Sequence, residues 1–178
     1  MKKGKSTHPP IKKDGGVTLT IKGEARLACV NPDGTLAWKT PWFHNRIVNQ
    51  GFNNFVGHGL INDASASHIA FMALGTGTLP ATDGTSLPGE ITNTGGAVTR
   101  VSITSATVSQ STQLKMYGTF TSGSDSFFSG GTQSLQNIGL YAASTGSGLF
   151  AGMTFTPTQA VQSNQQVNAT YQLSFSTQ

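Results

Sequence analysis

A chain of 178 residues is long enough to bury a sizeable core within one domain. Only 10% of its residues are charged, against a usual quarter, and its formal net charge is +4. This composition is not the charge-rich one of disordered chains, and it is typical of all-β proteins with many turns. No apolar run reaches roughly eighteen residues, which excludes a membrane-spanning helix. The initial lysines precede no apolar segment of a secretory signal, so we expect cytoplasmic synthesis.

The first sixteen residues are polar, without periodicity, and contain Pro9-Pro10 and Gly15-Gly16. We predict a flexible basic arm over 1–16 and a β domain over 17–178. The arm is either a solubilising tail or a segment that orders on an acidic partner surface. No aromatic residue lies among its lysines, which argues against base stacking on a nucleic acid. Its candidate contact residues are Lys2, Lys3, Lys5, Ile11, Lys12 and Lys13.

The segment after the arm has the pattern of strands joined by a hairpin. Apolar residues alternate over Val17–Ile21, and Ala25–Val30 predicts a second strand. Asn31-Pro32-Asp33-Gly34 is a strong turn, and Leu36–Lys39 predicts the returning strand. The single cysteine, Cys29, excludes an internal disulfide and is expected to be a small core residue.

One short helix is predicted over Gly51–Leu60, with Asn49 as its cap. Phe52, Phe55 and Val56 have the i, i+3, i+4 spacing of a helical face, and Leu60 extends it by a turn.

The middle of the chain predicts further strands separated by long loops. The strands are His68–Leu74, Ala97–Gln110 and Leu114–Phe120. The Gly75-Thr76-Gly77-Thr78 run lacks the Gly-Lys-Ser/Thr ending of a phosphate-binding loop, so we interpret it as a surface loop. The Gly/Ser loop 122–131 carries Phe127-Phe128, which either anchor a partner or plug an open end of the sandwich.

The stretch from Gln136 to Phe175, near the end of the chain, predicts three strands separated by polar turns. Apolar and polar residues alternate strictly from Val167 to Ser176, which indicates an antiparallel strand with one wet face. We expect these strands to form a meander in one sheet. Gly139 and Gly152 are expected where a side chain would block a neighbouring strand, and Pro157 suits a strand end or edge.

No pattern of catalytic, cofactor-binding or metal-binding residues is apparent, so we expect no enzyme and no cofactor. His58, Asp63 and His68 are the one combination that folding could bring together as a site, although surface histidines are the simpler interpretation. We therefore predict that each of the three can be replaced by alanine without loss of activity or assembly.

Several short motifs, in this order, resemble those of a group of tailed-bacteriophage virion proteins. They are Asn45-x-Ile47-x-Asn49-x-Gly51, Ile69 to Pro80 with its Leu-Gly-Thr-Gly-Thr run, Ile138-Gly139-Leu140-Tyr141, and Leu149-Phe150-Ala151 with Phe155-x-Pro157. The resemblance covers roughly Val17 to Phe175. Asn137 stands where an acid is common in the group, and Gly152 where a basic residue is common. If an acid–base pair at these two positions holds neighbouring strands together in the group, this chain holds them together in another way.

The resulting prediction is an all-β protein: an antiparallel β-sandwich or jelly-roll-like domain with one short α-helix and a flexible N-terminal arm. The resemblance implies a structural protein of the virion, most simply a capsid decoration (cement) or minor capsid protein that binds the major capsid protein. The unpaired sheet edges of an open sandwich predict a homo-oligomer, since closed symmetry covers such edges. The resemblance and capsid geometry favour a homotrimer. The alternative is a tail fibre or baseplate adaptor that binds other tail proteins or host-surface glycans, with Trp38 and Trp42 available to stack on sugars.

Overall fold

The computed structural model describes residues 19–58, 67–92, 99–109, 112–121 and 131–177, in which two antiparallel sheets pack as a sandwich. An all-β sandwich is therefore confirmed. The strands in chain order are β1 (Leu19–Val30), β2 (Leu36–Lys39), β3 (Phe43–His44), β4 (Arg46–Ile47), β5 (Phe71–Gly75), β6 (Val101–Ser102), β7 (Ser105–Ser109), β8 (Gln113–Phe120), β9 (Gln133–Tyr141), β10 (Leu149–Val161) and β11 (Gln166–Thr177). Sheet A has the order β2-β1-β11-β8-β7, with β3 also paired to β1, and sheet B has the order β4-β10-β9-β5-β6.

The main core lies between the two sheets. In sheet A, alternate residues of β1, β11 and β8 face inward, and Leu27, Tyr171 and Phe120 among them are fully buried. The alternation that predicted β11 is confirmed, since its polar residues form the outer face. Cys29 is a buried core residue, as predicted, and its burial raises the pKa of its thiol.

The predicted β9–β10–β11 meander is wrong at its last step. Strands β9 and β10 pair in sheet B, but β11 crosses to sheet A and lies between β1 and β8. The reason is a better partner, because β1 and β11 pair without interruption from Leu19↔Thr177 to Val30↔Gln166. The turn between β10 and β11, where the chain crosses from sheet B to sheet A, is held at its end by the buried Gln165. Its Nε2 donates a hydrogen bond of 2.8 Å to Asn31 Oδ1.

Three other strand predictions are refined. The two strands expected before the hairpin are one continuous strand, β1. The segment expected as one strand over Ala97–Gln110 splits into β6 in sheet B and β7 in sheet A, because the amide of Ile103 bonds to Ala70 and that of Thr104 to Tyr117 in the other sheet. Pro157 lies inside β10 where the register with β9 shifts, another place where a missing N–H is tolerated.

The predicted turn between β1 and β2 is confirmed. Gly34 has a φ of +84° and donates to Asn31 O at 2.9 Å. Asp33 Oδ1 accepts from both the amide and the hydroxyl of Thr35, and these bonds lower the pKa of the carboxyl.

The predicted helix exists, but it begins and is capped differently. A short helix α1 (Asn49–Gly51) continues as a π-helical turn over Phe52–Gly57, and Asn49 is its first residue. No side chain caps it. Instead, Val48 donates its amide to Phe150 O at 3.1 Å and Asn49 donates to Thr82 O at 2.7 Å. Neighbouring backbone thus supplies the partners that a capping side chain would otherwise provide.

Alanine substitutions at Gly51 and Gly57 of this helix are expected to change the free energy of unfolding in opposite directions. A Cβ at Gly51 would overlap the backbone carbonyl of Phe150, whereas at Gly57 its nearest neighbour would be Phe52 O, at an ordinary contact distance of 3.5 Å. Gly51→Ala is expected to lower the free energy of unfolding by about 1–3 kcal/mol. Gly57→Ala is expected to raise it by about 0.5–1 kcal/mol, because alanine restricts the unfolded chain. Chemical denaturation measures both; equal effects of the two substitutions would contradict the close packing of α1 on β10.

Candidate functional site

The residues predicted to contact partners fall outside the described part of the chain. They are the arm residues Lys2, Lys3, Lys5, Ile11, Lys12 and Lys13, and the loop residues Phe127 and Phe128. Their roles remain predictions.

Among the described residues, the two predicted histidines lie on different elements. His58 ends the π-helical turn, His68 is exposed before β5, and Asp63 lies outside the described residues. Within the described ranges, no group of three His, Cys, Asp or Glu side chains is placed to hold a metal ion. No helix in those ranges is long and apolar enough to cross a membrane.

A loop covers the outer face of sheet B and gives this sheet a second core. We call residues 76–89 the clasp loop. Its ends meet, because Gly75 bridges Glu90 and the amide of Thr76 donates to Gly89 O at 2.9 Å. Such compact loops with adjoining ends are Ω-loops. The small core beneath it contains Leu87 of the loop together with Val48, Ala73, Tyr141 and Leu149.

Two glycines make the floor on which the clasp loop rests. Gly139 of β9 and Gly152 of β10 are cross-strand neighbours on the outer face of sheet B. A Cβ at Gly152 would lie 2.7 Å from Pro80 Cγ, and one at Gly139 would lie 3.3 Å from Leu87 Cδ1. We expected these glycines to admit a neighbouring strand. They instead admit the loop above the sheet, together with the side chain of Leu149.

Asn137 joins the two arms of the clasp loop from below. Its fully buried side chain donates from Nδ2 to Thr78 O at 3.0 Å and to Pro88 O at 2.8 Å. Both acceptors are carbonyls, so the position requires two donors, which an amide has and a carboxylate lacks. This is a physical reason for an asparagine rather than an aspartate at position 137.

A buried ion pair fastens the end of the clasp loop. Arg100 donates from Nε to Glu90 Oε1 at 2.6 Å, and the side chains are 1% and 7% exposed. Arg100 also donates to Ala143 O and Gly146 O in the β9–β10 turn. Tyr141 donates its hydroxyl to Glu90 at 2.9 Å, and burial, with the Glu90 charge second, raises the pKa of Tyr141. The network therefore joins three backbone segments.

An apolar cavity of about 510 Å³ opens between the sheets at the Leu19 end of β1. Sheet A contributes Leu19, Leu114 and Phe175, and the helix contributes Phe55 and Val56. Leu19 is 49% exposed. Ser67 and His68 are the polar residues among its described lining. The cavity suits an apolar group, and it contains no arrangement of groups for chemistry.

The outer face of sheet A is flat, polar and cationic. Cross-strand pairing places Lys22, Arg26, Lys39 and Lys115 on this face together with one acid, Glu24. His44 Nδ1 lies 3.3 Å from Glu24 Oε1. The remaining positions are hydroxyl and amide side chains, such as Thr170 and Gln172 of β11.

The two tryptophans near this sheet have different environments. Trp38 packs against the core, and its Nε1 donates to Ala160 O at 2.8 Å. Trp42 is 38% exposed, and the guanidinium carbon of Arg26 lies 4.6 Å from its ring centre. Trp42 is therefore the tryptophan that a ligand can reach.

Sequence reasoning missed the clasp network and the charged face. Glu90 and Arg100 carried a signal, because they are two of the few charged residues in the second half of a weakly charged chain. The cationic face carried no such signal, since its members come together only through the pairing of β1 with β2 and β11, and of β11 with β8. No protein-family model matches the chain, and a comparison with curated proteins gives no match.

Proposed function

We propose that the chain is a non-enzymatic structural protein of a tailed-bacteriophage virion, which binds the capsid shell as a decoration protein. One observation supports this proposal above others: most of the motifs of the resemblance contribute residues to, or contact, a single structural unit, the clasp loop on sheet B, whereas Phe155 lies in the main core. Their contacts are packing and hydrogen bonds between backbone segments, the role expected of motifs in an architectural protein. The motif residues that belong to the clasp loop, adjoin it, bond to it or lie beneath it include Val48, Asn49, Gly75, Pro80, Tyr141 and Leu149.

Cryo-electron microscopy of intact particles tests this function. We expect density for the sandwich on the outside of the shell, in contact with the major capsid protein. Particles that lack the chain should have bare sites at the same lattice positions. Density confined to the tail would contradict a decoration role and would favour the alternative of a fibre or baseplate adaptor.

The exposed ring of Trp42 is the observation that favours the adaptor alternative. An aromatic ring beside amide and hydroxyl groups can stack on a sugar, although Arg26 already occupies one side of this ring. Binding of the purified chain to host-surface glycans, abolished by Trp42→Ala and retained by Trp38→Phe, would support the adaptor. Equal loss in the two variants would point to altered folding instead.

The chain is further proposed to form a homotrimer on the particle. Open sheet edges were the sequence-based motive, but the described edge strands β2, β3, β4, β6 and β7 are only two to five residues long. Short edges discourage strand addition, so subunit contacts are better sought on faces and loops. Light scattering should give three times the 18.6 kDa chain mass. A stable monomer at micromolar concentration, with isolated copies on the particle, contradicts the trimer.

Removing Met1 to Lys13 is expected to leave the unfolding midpoint unchanged and to weaken attachment to the shell. The deleted segment contains all five arm lysines, which are expected to pair with acidic groups of the shell. Because salt screens such pairs, the difference between full-length and shortened chains should narrow as salt rises. If the full-length and shortened chains attach equally well at low salt, the arm serves only as a solubilising tail and the prediction is wrong.

A further inference from the structure

We propose that the outer face of sheet A is a docking surface for an acidic protein surface. The identity of that partner as the capsid shell rests on the function proposed above, whereas the acidic character of the partner rests on this face alone.

Charge in the described part of the chain is concentrated on this face. Its four cations and one acid give a net +3, from Lys22, Arg26, Lys39, Lys115 and Glu24. The other described charges are Arg46 and Arg100 against Asp33, Asp83 and Glu90, a net −1. The Arg100–Glu90 pair is buried, so the exposed net charge of the described residues lies mainly on the face. A partner of opposite charge is attracted and oriented by the field of such a face.

A row across the middle of the face contains the residue types that dominate binding energy at interfaces. Tyr117 of β8 lies opposite Thr170 of β11, and Thr170 lies opposite Arg26 of β1. Beyond Arg26 lies Trp42, whose ring holds the guanidinium through a cation–π contact. Tyrosine, arginine and tryptophan are enriched at hot spots, and a guanidinium already held on a ring loses less freedom on binding a carboxylate.

The surroundings of this row suit a protein surface better than a nucleic acid. Of the described outer-face side chains, only Tyr117 and Trp42 are aromatic, and Arg26 covers one side of the Trp42 ring. A single-strand binding platform needs several free rings for successive bases. The lysines Lys22, Lys39 and Lys115 instead surround the row as a polar rim, the arrangement of protein–protein interfaces.

The test compares three full-length variants in binding to empty shells assembled from the major capsid protein. Arg26→Gln/Lys115→Gln removes two charges from the face. Gln162→Glu/Ser163→Asp makes the same change in net charge at exposed positions of the β10–β11 turn. Arg26→Lys/Lys115→Arg keeps the charge of the face. Thermal unfolding of each variant verifies its fold.

We expect the Arg26→Gln/Lys115→Gln protein to bind the shell at least about tenfold more weakly than the wild type. The turn variant should stay within about twofold. The charge-conserving variant should bind with an affinity between those of the wild type and the Arg26→Gln/Lys115→Gln protein, because it keeps the charge of the face but loses the guanidinium held on the Trp42 ring. If the wild type binds the shell and the two charge-reduced variants bind equally well, the proposed docking face is wrong while the decoration function stands.

A second binding measurement does not depend on the shell. Polyglutamate and a single-stranded oligodeoxythymidylate serve as soluble probes of the same full-length proteins. Binding to polyglutamate that falls in Arg26→Gln/Lys115→Gln, but not in the turn variant, supports an acidic protein partner even if the wild type fails to bind shells. Tighter binding of the oligonucleotide, lost in the same variant, overturns the inference in favour of a nucleic-acid surface.

Discussion

An Asn137→Asp protein is expected to lose about 3–5 kcal/mol of its free energy of unfolding at pH 7. The new carboxylate would be buried facing the carbonyl oxygens of Thr78 and Pro88, where Asn137 now donates two hydrogen bonds. It would lose both donors and place an unpaired charge beneath the clasp loop. Chemical denaturation measures the loss.

The pH dependence of this variant separates charge from shape. A buried, unpaired carboxyl has a folded-state pKa above its unfolded value of about 3.9, so both states are neutral below that value. The destabilisation relative to wild type should therefore be smallest near pH 3–4 and grow as pH rises. A difference that stays constant with pH would contradict the buried charge.

Asn168→Asp is the matched control for this substitution. Asn168 is half-buried on the outer face of β11, and its Oδ1 already accepts from Thr119 Oγ1 at 3.1 Å and from Gln166 Nε2 at 2.9 Å. A carboxylate keeps both bonds, so we expect a change within about 0.5 kcal/mol. Equal losses at positions 137 and 168 would mean that the clasp loop does not depend on the Asn137 donors.

Arg100→Ala is the second substitution with a large expected effect, a loss of about 3–5 kcal/mol. It leaves the Glu90 carboxylate buried without its cation and deprives Ala143 O and Gly146 O of their donors. Arg46→Ala is the control, because Arg46 is exposed and donates one hydrogen bond, to Pro80 O. We expect that control to cost below about 1 kcal/mol.

A double variant, Glu90→Gln/Arg100→Met, tests whether the lone charge causes the loss. Glutamine still accepts from the Tyr141 hydroxyl, and no charge remains buried. The double variant should therefore be more stable than Arg100→Ala alone, as for other buried pairs replaced together. If it is less stable than Arg100→Ala, the network acts through packing rather than through charge.

Patterns among neighbouring residues correctly predicted the type of secondary structure that several segments adopt. The strict alternation of β11, the Asn31–Gly34 turn and the spacing of Phe52, Phe55 and Val56 all encode their structures within a few neighbouring residues. The sheet to which β11 belongs is not encoded locally, because it is decided by a partner strand at the other end of the domain.

The features of the sites were harder to predict for the same reason. Asn137 lies in the middle of a strand, and nothing near it in sequence indicates that two loop carbonyls lie above it. Gly139 and Gly152 were recognised as places of close approach, but the approaching element was wrong. The charges on the outer face of sheet A can be counted only when the register of four strands, β2, β1, β11 and β8, is known.

The pairing of β1 with β11 has a consequence for how the protein is made. Val30 cannot pair with Gln166 until Gln166 has left the ribosome, which happens more than a hundred residues later. At elongation rates of about 5–20 residues per second, the edge of β1 that pairs with β11 stays without its partner strand for roughly 7–27 seconds. Sheet A is therefore completed only after nearly the whole chain has emerged, so a ribosome stalled before β11 would hold a nascent strand without its partner and exposed to aggregation.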